Sequence, residues 1–200
     1  MLIGIIGAGN VAQTFARFAL AAGHDVILSN SRGPETLHAL EQKLGVRARI
    51  ERTAQAAAAP IVLLAVPWPG VESALRDLPS WDDRILIDAT NGFKDGTPAG
   101  GVVDAGSRST SEVVASHASG ARVVKAFNTN GMSVLANTSP SPGLKRVLFV
   151  SGDDSTAKGV VVDLLQSFGF ATLDLGDLHV GGRLQQVGGP IAGRDFLLAE

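Results

Sequence analysis

The chain has no cysteine and no tyrosine among its 200 residues. The first absence excludes a thiol nucleophile, a cysteine-ligated zinc site and any disulfide. The second excludes tyrosine as the proton donor to a reacting carbonyl. Charge is scarce: charged residues make up 18% of the chain, the net charge is −2, and basic residues form no block. Such a surface has nothing with which to engage nucleic-acid phosphates or an anionic membrane. No apolar run approaches the ~20 residues of a membrane span. No charged leader with a cleavage site precedes the first apolar run, so no secretory signal is expected and a cytoplasmic location is. Neither a phosphate-loop Gly-Lys-Ser/Thr nor a Gly-x-Ser-x-Gly elbow occurs. A chain of this size can bury ~70% of its unfolded surface. With no repeat, linker or low-complexity block, residues 1–200 read as a single domain.

What the chain does have is concentrated at its start. Leu2-Ile3-Gly4-Ile5-Ile6 is an apolar run of the length expected for a strand buried on both faces. It runs into Gly7-Ala8-Gly9-Asn10-Val11-Ala12, after which Val11, Phe15, Phe18, Ala19 and Ala22 fall on one helical face. Gly23 stands where a left-handed cap belongs, and Val26-Ile27-Leu28 begins a second strand. Strand, glycine turn, helix and strand with Gly7, Gly9 and Ala12 in G-x-G-x-x-A spacing form the dinucleotide fingerprint. Gly7 permits the tight turn, Gly9 lets a pyrophosphate approach the backbone, and Ala12 lets the helix pack closely on the strand. The free N–H groups of the helix start, with its dipole, then face the phosphates.

The end of the second strand reads Ser29-Asn30-Ser31-Arg32, with no acid before Glu35. A fold selective for NAD places Asp or Glu there, ~20 residues past the turn, to bind the ribose 2′-hydroxyl. Two hydroxyls, an amide and a guanidinium suit a 2′-phosphate instead, since Arg can bind it through paired charge-assisted bonds. The pattern predicts NADP(H), held at Asn30, Ser31 and Arg32.

Helices are expected over Pro34–Leu44, over Thr53–Ala59 with Thr53 as its cap, over Val71–Leu78, over Ser111–His117 and from Ser155 to Phe168. Strands are expected at Val46–Ile50, Ile61–Val66, Arg84–Asp88, Arg122–Phe127, Arg146–Val150 and Ala171–Leu175, about eight in all. Residues 95–106 and 137–143 read as loops, and Leu178 onward as a final helical segment broken near Gly188-Gly189-Pro190. The alternation of strand and helix predicts an α/β, doubly wound, mostly parallel sheet of Rossmann type, with Leu2–Ile6 and Ile61–Val66 adjacent at its centre. Ligands of such sheets bind outside the carboxyl ends of the strands. Those ends carry Ala65-Val66-Pro67-Trp68, Thr90-Asn91 and Asn128-Thr129-Asn130. Pro67 and Trp68 are therefore expected to border the nicotinamide half of the cofactor, with Trp68 equally readable as a hydrophobic plug. Thr90 and Asn91 either meet ligand or satisfy the turn. Lys125 reads as an edge or pairing residue, and Asp153 and Asp154 as helix-cap acids, not metal ligands.

Taken together, Ile6-Gly7-Ala8-Gly9-Asn10-Val11, Asn30-Ser31-Arg32-Gly33-Pro34, Ala65-Val66-Pro67-Trp68 and Val124-Lys125-Ala126-Phe127-Asn128-Thr129 resemble the NADPH-dependent reductases of the deazaflavin coenzyme F420. The nucleotide domain of the Steap metalloreductases is similar in Ala126-Phe127-Asn128-Thr129. The resemblance implies NADP lying across the strand ends. Gly9, Asn10 and Val11 would hold the pyrophosphate, Ser31 and Arg32 the 2′-phosphate, and Pro67 and Trp68 would flank the nicotinamide ribose. Asn128 to Asn130 would lie near the nicotinamide and the hydride acceptor. This chain departs from the archaeal members in carrying Asn128 where they have His, and its Glu35 and Thr36 offer no second cation.

The implied function is hydride transfer between NADP(H) and F420 or a flavin, FMN or FAD. That chemistry needs stacked rings and exclusion of water more than a protein acid. No catalytic acid or base is assigned; Trp68 and Asn128 are the candidates for positioning the rings. His24, His38 and His117 read as solvated structure, and His179 stays open. A small-molecule redox acceptor is the expected partner, a homodimer is allowed, and no metal site is expected. Reduction of a small carbonyl or imine, or a non-catalytic NADP-binding sensor, are the alternative readings.

Overall fold

A computed structural model describes residues 1–136, 138 and 141–199. The first strand, β1 (Leu2–Ile6), leads through Gly7-Ala8-Gly9 into helix α1 (Asn10–Ala21) and strand β2 (Asp25–Ser29). Next come α2 (His38–Leu44), β3 (Ala48–Ile50), α3 (Thr53–Ala57), β4 (Ile61–Leu64), α4 (Val71–Leu75) and β5 (Ile85–Asp88). The second half adds α5 (Thr110–His117), β6 (Arg122–Ala126), α6 (Met132–Leu135), β7 (Leu144–Gly152), α7 (Ser155–Ser167), β8 (Ala171–Asp174), α8 (Val180–Gln185) and β9 (Leu197–Ala199). The strands form one sheet in the order β3-β2-β1-β4-β5-β6-β7-β8, with β9 paired to β7. Pairing is parallel from β3 to β6, and β7 runs antiparallel to β6. The expected adjacency of Leu2–Ile6 and the strand at Ile61 holds, with Ile3 opposite Ile61. The chain order reverses between β1 and β4, which makes that pair the topological switch point.

Helices cover both faces because these central strands are apolar on both sides. On one face Phe15 of α1 and Val161 and Leu165 of α7 pack against Ile5, Leu28, Leu63, Ile87 and Leu148. Phe15, Phe18, Phe127, Phe168 and Phe170 join there edge to face or stacked, with centroids from 5.1 to 6.4 Å apart. The other face holds Ile6, Val62, Leu64, Val71, Leu75, Leu86, Val114 and Val123.

Several elements differ from the sequence reading. The expected helix over Pro34–Leu44 opens as a 3-10 turn (Pro34–Leu37) before α2. Arg52, not Thr53, occupies the cap of α3, with no side-chain cap bond. β4 stops at Leu64: Ala65 N still donates to the Ile6 carbonyl at 2.9 Å, but at Gly7 the chain of β1 turns away, its N–H donating to the Ser29 carbonyl. The helix at Ser111 starts one residue earlier behind a capping box, in which Ser109 Oγ accepts from Glu112 N and Glu112 answers the Ser109 N–H. Asp154 does cap α7, accepting from Ala157 N, while Asp153 accepts from Leu178 N at 2.9 Å.

The largest correction concerns the C-terminus. The expected terminal helix is only α8, and the chain ends in a ninth, antiparallel strand whose Leu197–Ala199 pair with Leu144–Arg146. The helix ends where Gln186 turns extended at φ −63° and ψ 157°, and Gly188 follows at φ +86°. Asp195 then binds buried Arg146 in bidentate fashion, at 2.7 and 3.0 Å, and draws the segment onto β7. The loop expected over 137–143 lies partly outside the described residues.

Candidate functional site

A cleft of about 790 Å³ opens at the switch point. Its floor is the glycine turn. Gly7 has φ +125°, and a Cβ there would run into the Ala65 carbonyl, so the turn needs glycine for both conformation and space. Gly9 is different: its backbone is extended at φ −77° and ψ −172°, and a Cβ would meet nothing within 4 Å. No packing explains the missing side chain; the vacant space faces the cleft. Gly9 is also the N-cap of α1, gives no side-chain cap, and no acid lies in the first turn. The leading N–H groups of this 12-residue helix have no side-chain cap among the described residues, an arrangement suited to an anion. Ala12 is fully buried, as close helix–strand packing requires.

Ile6, Gly7, Ala8 and Gly9 share this cleft with Asn30, Ser31, Arg32, Ala65, Val66 and Pro67. The loop after β2 is held by its own hydrogen bonds. Arg32 N donates to Asn30 Oδ1 at 3.0 Å, Asn30 Nδ2 donates to Thr36 Oγ1 at 2.8 Å, and Thr36 Oγ1 donates to the Gly33 carbonyl at 2.8 Å. These bonds fix the backbone and leave the exposed Arg32 guanidinium without a hydrogen-bond or ion-pair partner among the described residues. Asn10 and Val11 form the first turn of α1 beside the cleft.

The opposite wall was not anticipated. Thr53 and Ala54 of α3 and Gly70, Ser73, Ala74, Asp77 and Leu78 along and beyond α4 complete the cleft. The i, i+4 relation of Ser73 with Asp77 and Ala74 with Leu78 is the available sequence signal. Trp68 does not line this space. It is half-buried against the apolar cluster of Ile6, Val62 and Leu75, the position of a plug. The loop after β5 folds back beside it, bringing Gly96 against Pro67 and Pro69.

Thr90, Asn91 and Asn128 are brought together in a second group beyond the cleft. Asn91 Nδ2 donates to the Asn128 carbonyl at 3.1 Å, and Asn128 Nδ2 donates to Asn91 Oδ1 at 3.2 Å and to the Gln185 carbonyl at 2.8 Å. The turn into Asn128 passes through Phe127 at φ +62°, a left-handed conformation that a bulky residue adopts only when its surroundings enforce it. Beneath this group Lys125 Nζ lies 3.1 Å from Asp88 Oδ2, both side chains fully buried. Burial opposes the Asp88 charge, but the Lys125 ammonium and bonds from Ser111 and Thr90 outweigh it and hold the carboxyl below the ordinary range. Lys125 is a pairing residue on an interior strand, not an edge residue.

The histidines stand apart from the cleft. His24 Nδ1 is 3.4 Å from the N-terminal amine, His38 lies near Glu41, and His179 Nδ1 is 3.3 Å from Glu112. Burial and the neighbouring cations of the N-terminus and Arg47 lower the His24 pKa. Among the described residues no cluster of His, Asp and Glu could hold a metal, and no helix is long and apolar enough to cross a membrane.

Fold and cleft together define a Rossmann-type dinucleotide-binding protein. Residues 2–92 match the family described as NADP oxidoreductase, coenzyme F420-dependent. A hypothetical protein of Sinorhizobium meliloti is 36% identical, with a TM-score of 0.91 over 99% of this chain and 96% of that one. A proposed F420-dependent NADP reductase of Arthrobacter sp. FB24 is 26% identical, with a TM-score of 0.75 over 88% and 85% of the two chains. The rat (Rattus norvegicus) metalloreductase STEAP3 is 29% identical over 177 residues, which span 88% of this chain and 34% of that protein. Residues 2–92 of this chain thus carry the pattern of the F420-dependent NADP oxidoreductases, a family of NADP-dependent oxidoreductases.

Proposed function

We propose that this protein transfers hydride between NADP(H) and a deazaflavin (F420) or flavin (FMN or FAD) acceptor, as a cytoplasmic enzyme able to work as a homodimer. One observation carries the reading: the cleft joins an uncapped helix start, with open space at Gly9, to an unpaired Arg32, and offers no His, Lys or Tyr to donate a proton. When bound, the nicotinamide supplies or takes the hydride and the acceptor ring carries the other half of the redox couple.

The chain's own residues bind and orient. The N–H groups at the start of α1 hold the pyrophosphate, with Gly9 leaving room for it and the helix dipole favouring its charge. Arg32, with Ser31 and Asn30, holds the 2′-phosphate through charge-assisted bonds. Ala65, Val66 and Pro67 line the cleft toward the strand ends, with Gly96 set closely against Pro67. Asn91 and Asn128, locked by their mutual bonds, present the edge against which the acceptor is placed.

The test is a stopped-flow screen of NADPH oxidation against F420, FMN, FAD and ferric chelates, with NADH in parallel. Turnover with F420 or a flavin and preference for NADPH support the proposal. Turnover only with a small carbonyl or imine overturns it, as does binding of NADPH with no acceptor at all.

A further inference from the structure

The most deeply buried charges in the molecule, Asp88 and Lys125, take part in no step described above. Both side chains are fully buried, on neighbouring strands in direct register. An apolar pair of similar volume commonly stabilises a core as well or better, so stability alone does not account for two charges there. What the ion pair adds is direction, and its bonds lead to the strand-end turns. Lys125 Nζ donates to the Thr90 carbonyl at 3.0 Å. Asp88 Oδ1 accepts from Thr90 N at 2.9 Å and from Thr90 Oγ1 at 2.7 Å, and Oδ2 accepts from Ser111 Oγ at 2.5 Å.

From Thr90 the network passes along the chain to Asn91 and across to Asn128 through the paired amides. It closes on itself, because Gln185 Nε2 donates to the Lys125 carbonyl at 2.8 Å while the Gln185 carbonyl accepts from Asn128 Nδ2. The end of β5, the end of β6 and the end of α8 are thus one hydrogen-bonded body anchored on the ion pair. Phe127, between Lys125 and Asn128, is held at positive φ within it.

We propose that Asp88 and Lys125 are positioning residues: through Thr90 they set Asn91 and Asn128 at the acceptor end of the site. They are too buried to touch either ring. The proposal rests on the hydride-transfer reading above, and its test separates the two.

The variant is Asp88→Asn/Lys125→Met, which removes both charges together and so leaves neither buried alone. Ser111→Ala, which removes one donor to Asp88, serves as a milder second variant that is sure to keep the ion pair. Amide hydrogen exchange in the nucleotide-free protein tests the anchor directly. Exchange across residues 89–91 and 127–130 is expected to rise at least tenfold in the double variant and by a smaller factor in Ser111→Ala, while residues 7–12 exchange as in wild type. Unchanged exchange at both tips overturns the proposal.

Kinetics supply the second readout. Melting temperature and NADPH affinity of the double variant are expected to stay near wild type, with kcat falling at least tenfold. A kcat that follows the melting temperature back to wild type makes the pair structural only, and overturns the proposal. Failure of wild-type protein to bind NADPH sinks the functional reading instead, and the exchange result is independent of it.

Discussion

Replacing Gly9 by valine separates folding from binding more cleanly than any other single change. The Gly9 backbone is extended, a conformation that β-branched residues favour, and a Cβ there meets no atom within 4 Å. Losing glycine's freedom in the unfolded chain gains about 0.4–1 kcal/mol. Losing a favoured residue at a helix N-cap costs a similar few tenths to 1 kcal/mol. The net change is within about 0.5 kcal/mol, which for a chain of this length moves the melting temperature by only ~1–2 °C.

Binding behaves differently, because the space a side chain would fill is the space assigned to the pyrophosphate. A loss of at least about 100-fold is expected, ~2.8 kcal/mol at 1.4 kcal/mol per decade, for NADPH and NADH alike. Gly7→Ala is the contrasting control. It forces a Cβ into the Ala65 carbonyl at φ +125°, and a destabilisation of about 3 kcal/mol, or ~6–12 °C, is expected. The assay is a thermal melt by circular dichroism paired with NADPH titration by calorimetry. Wild-type NADPH affinity in Gly9→Val would refute the reasoning, because the dinucleotide would then lie elsewhere than on this turn.

Arg32→Ala should weaken NADPH binding by ~1.5–3 kcal/mol, the scale of hydrogen bonds to a charged group, and leave NADH nearly unchanged; parallel titrations of the two nucleotides check it. Substituting His24, His38 or His117 should each lower kcat by less than ~10-fold, since none lines the cleft, and single-turnover hydride transfer would expose a missed general acid as a loss of ~1,000-fold. Acid stability should carry the signature of Asp88. Its carboxyl is depressed in the folded chain, so its stabilisation is complete above the ordinary Asp value of ~3.9 and is lost as pH falls from there through the lower folded value. Denaturant melts between pH 6 and pH 2 should therefore be flatter below pH 4 for Asp88→Asn/Lys125→Met than for wild type, and parallel curves would remove Asp88 from the account.

The two halves of the site were unequally legible, and the reason is physical. The dinucleotide half is a local structure: β1, the Gly7–Gly9 turn, α1 and the Asn30–Arg32 loop lie within 31 consecutive residues (2–32), and each conformation follows from its own residues. Gly7 must turn against Ala65, Ala12 must be small, and the loop bonds join Asn30, Arg32, Gly33 and Thr36, all near neighbours in sequence. The half proposed to receive the acceptor is assembled from afar. Asp88 and Lys125 each read as a lone charge in an apolar strand, and only the β5–β6 register brings them together across 37 positions. Trp68 follows a strand end as a ligand-facing residue would, yet it packs against an apolar cluster drawn from distant parts of the chain. Leu197–Ala199 continues an apolar pattern that reads as helix, and becomes strand because β7 outruns β6 and leaves Leu144–Arg146 unpaired on that side.

This asymmetry bears on how the chemistry is divided. The glycine turn and the Asn30–Arg32 loop come from one segment, so under the proposed function acceptor choice is assigned to the part built by long-range contacts. In this chain that part is the body tied together by Asp88, Lys125, Asn91, Asn128 and Gln185. Asn128 stands at its centre, its side-chain amide held by two bonds and its backbone carbonyl by a third; under the proposed function such a neutral amide orients a ring and delivers no proton.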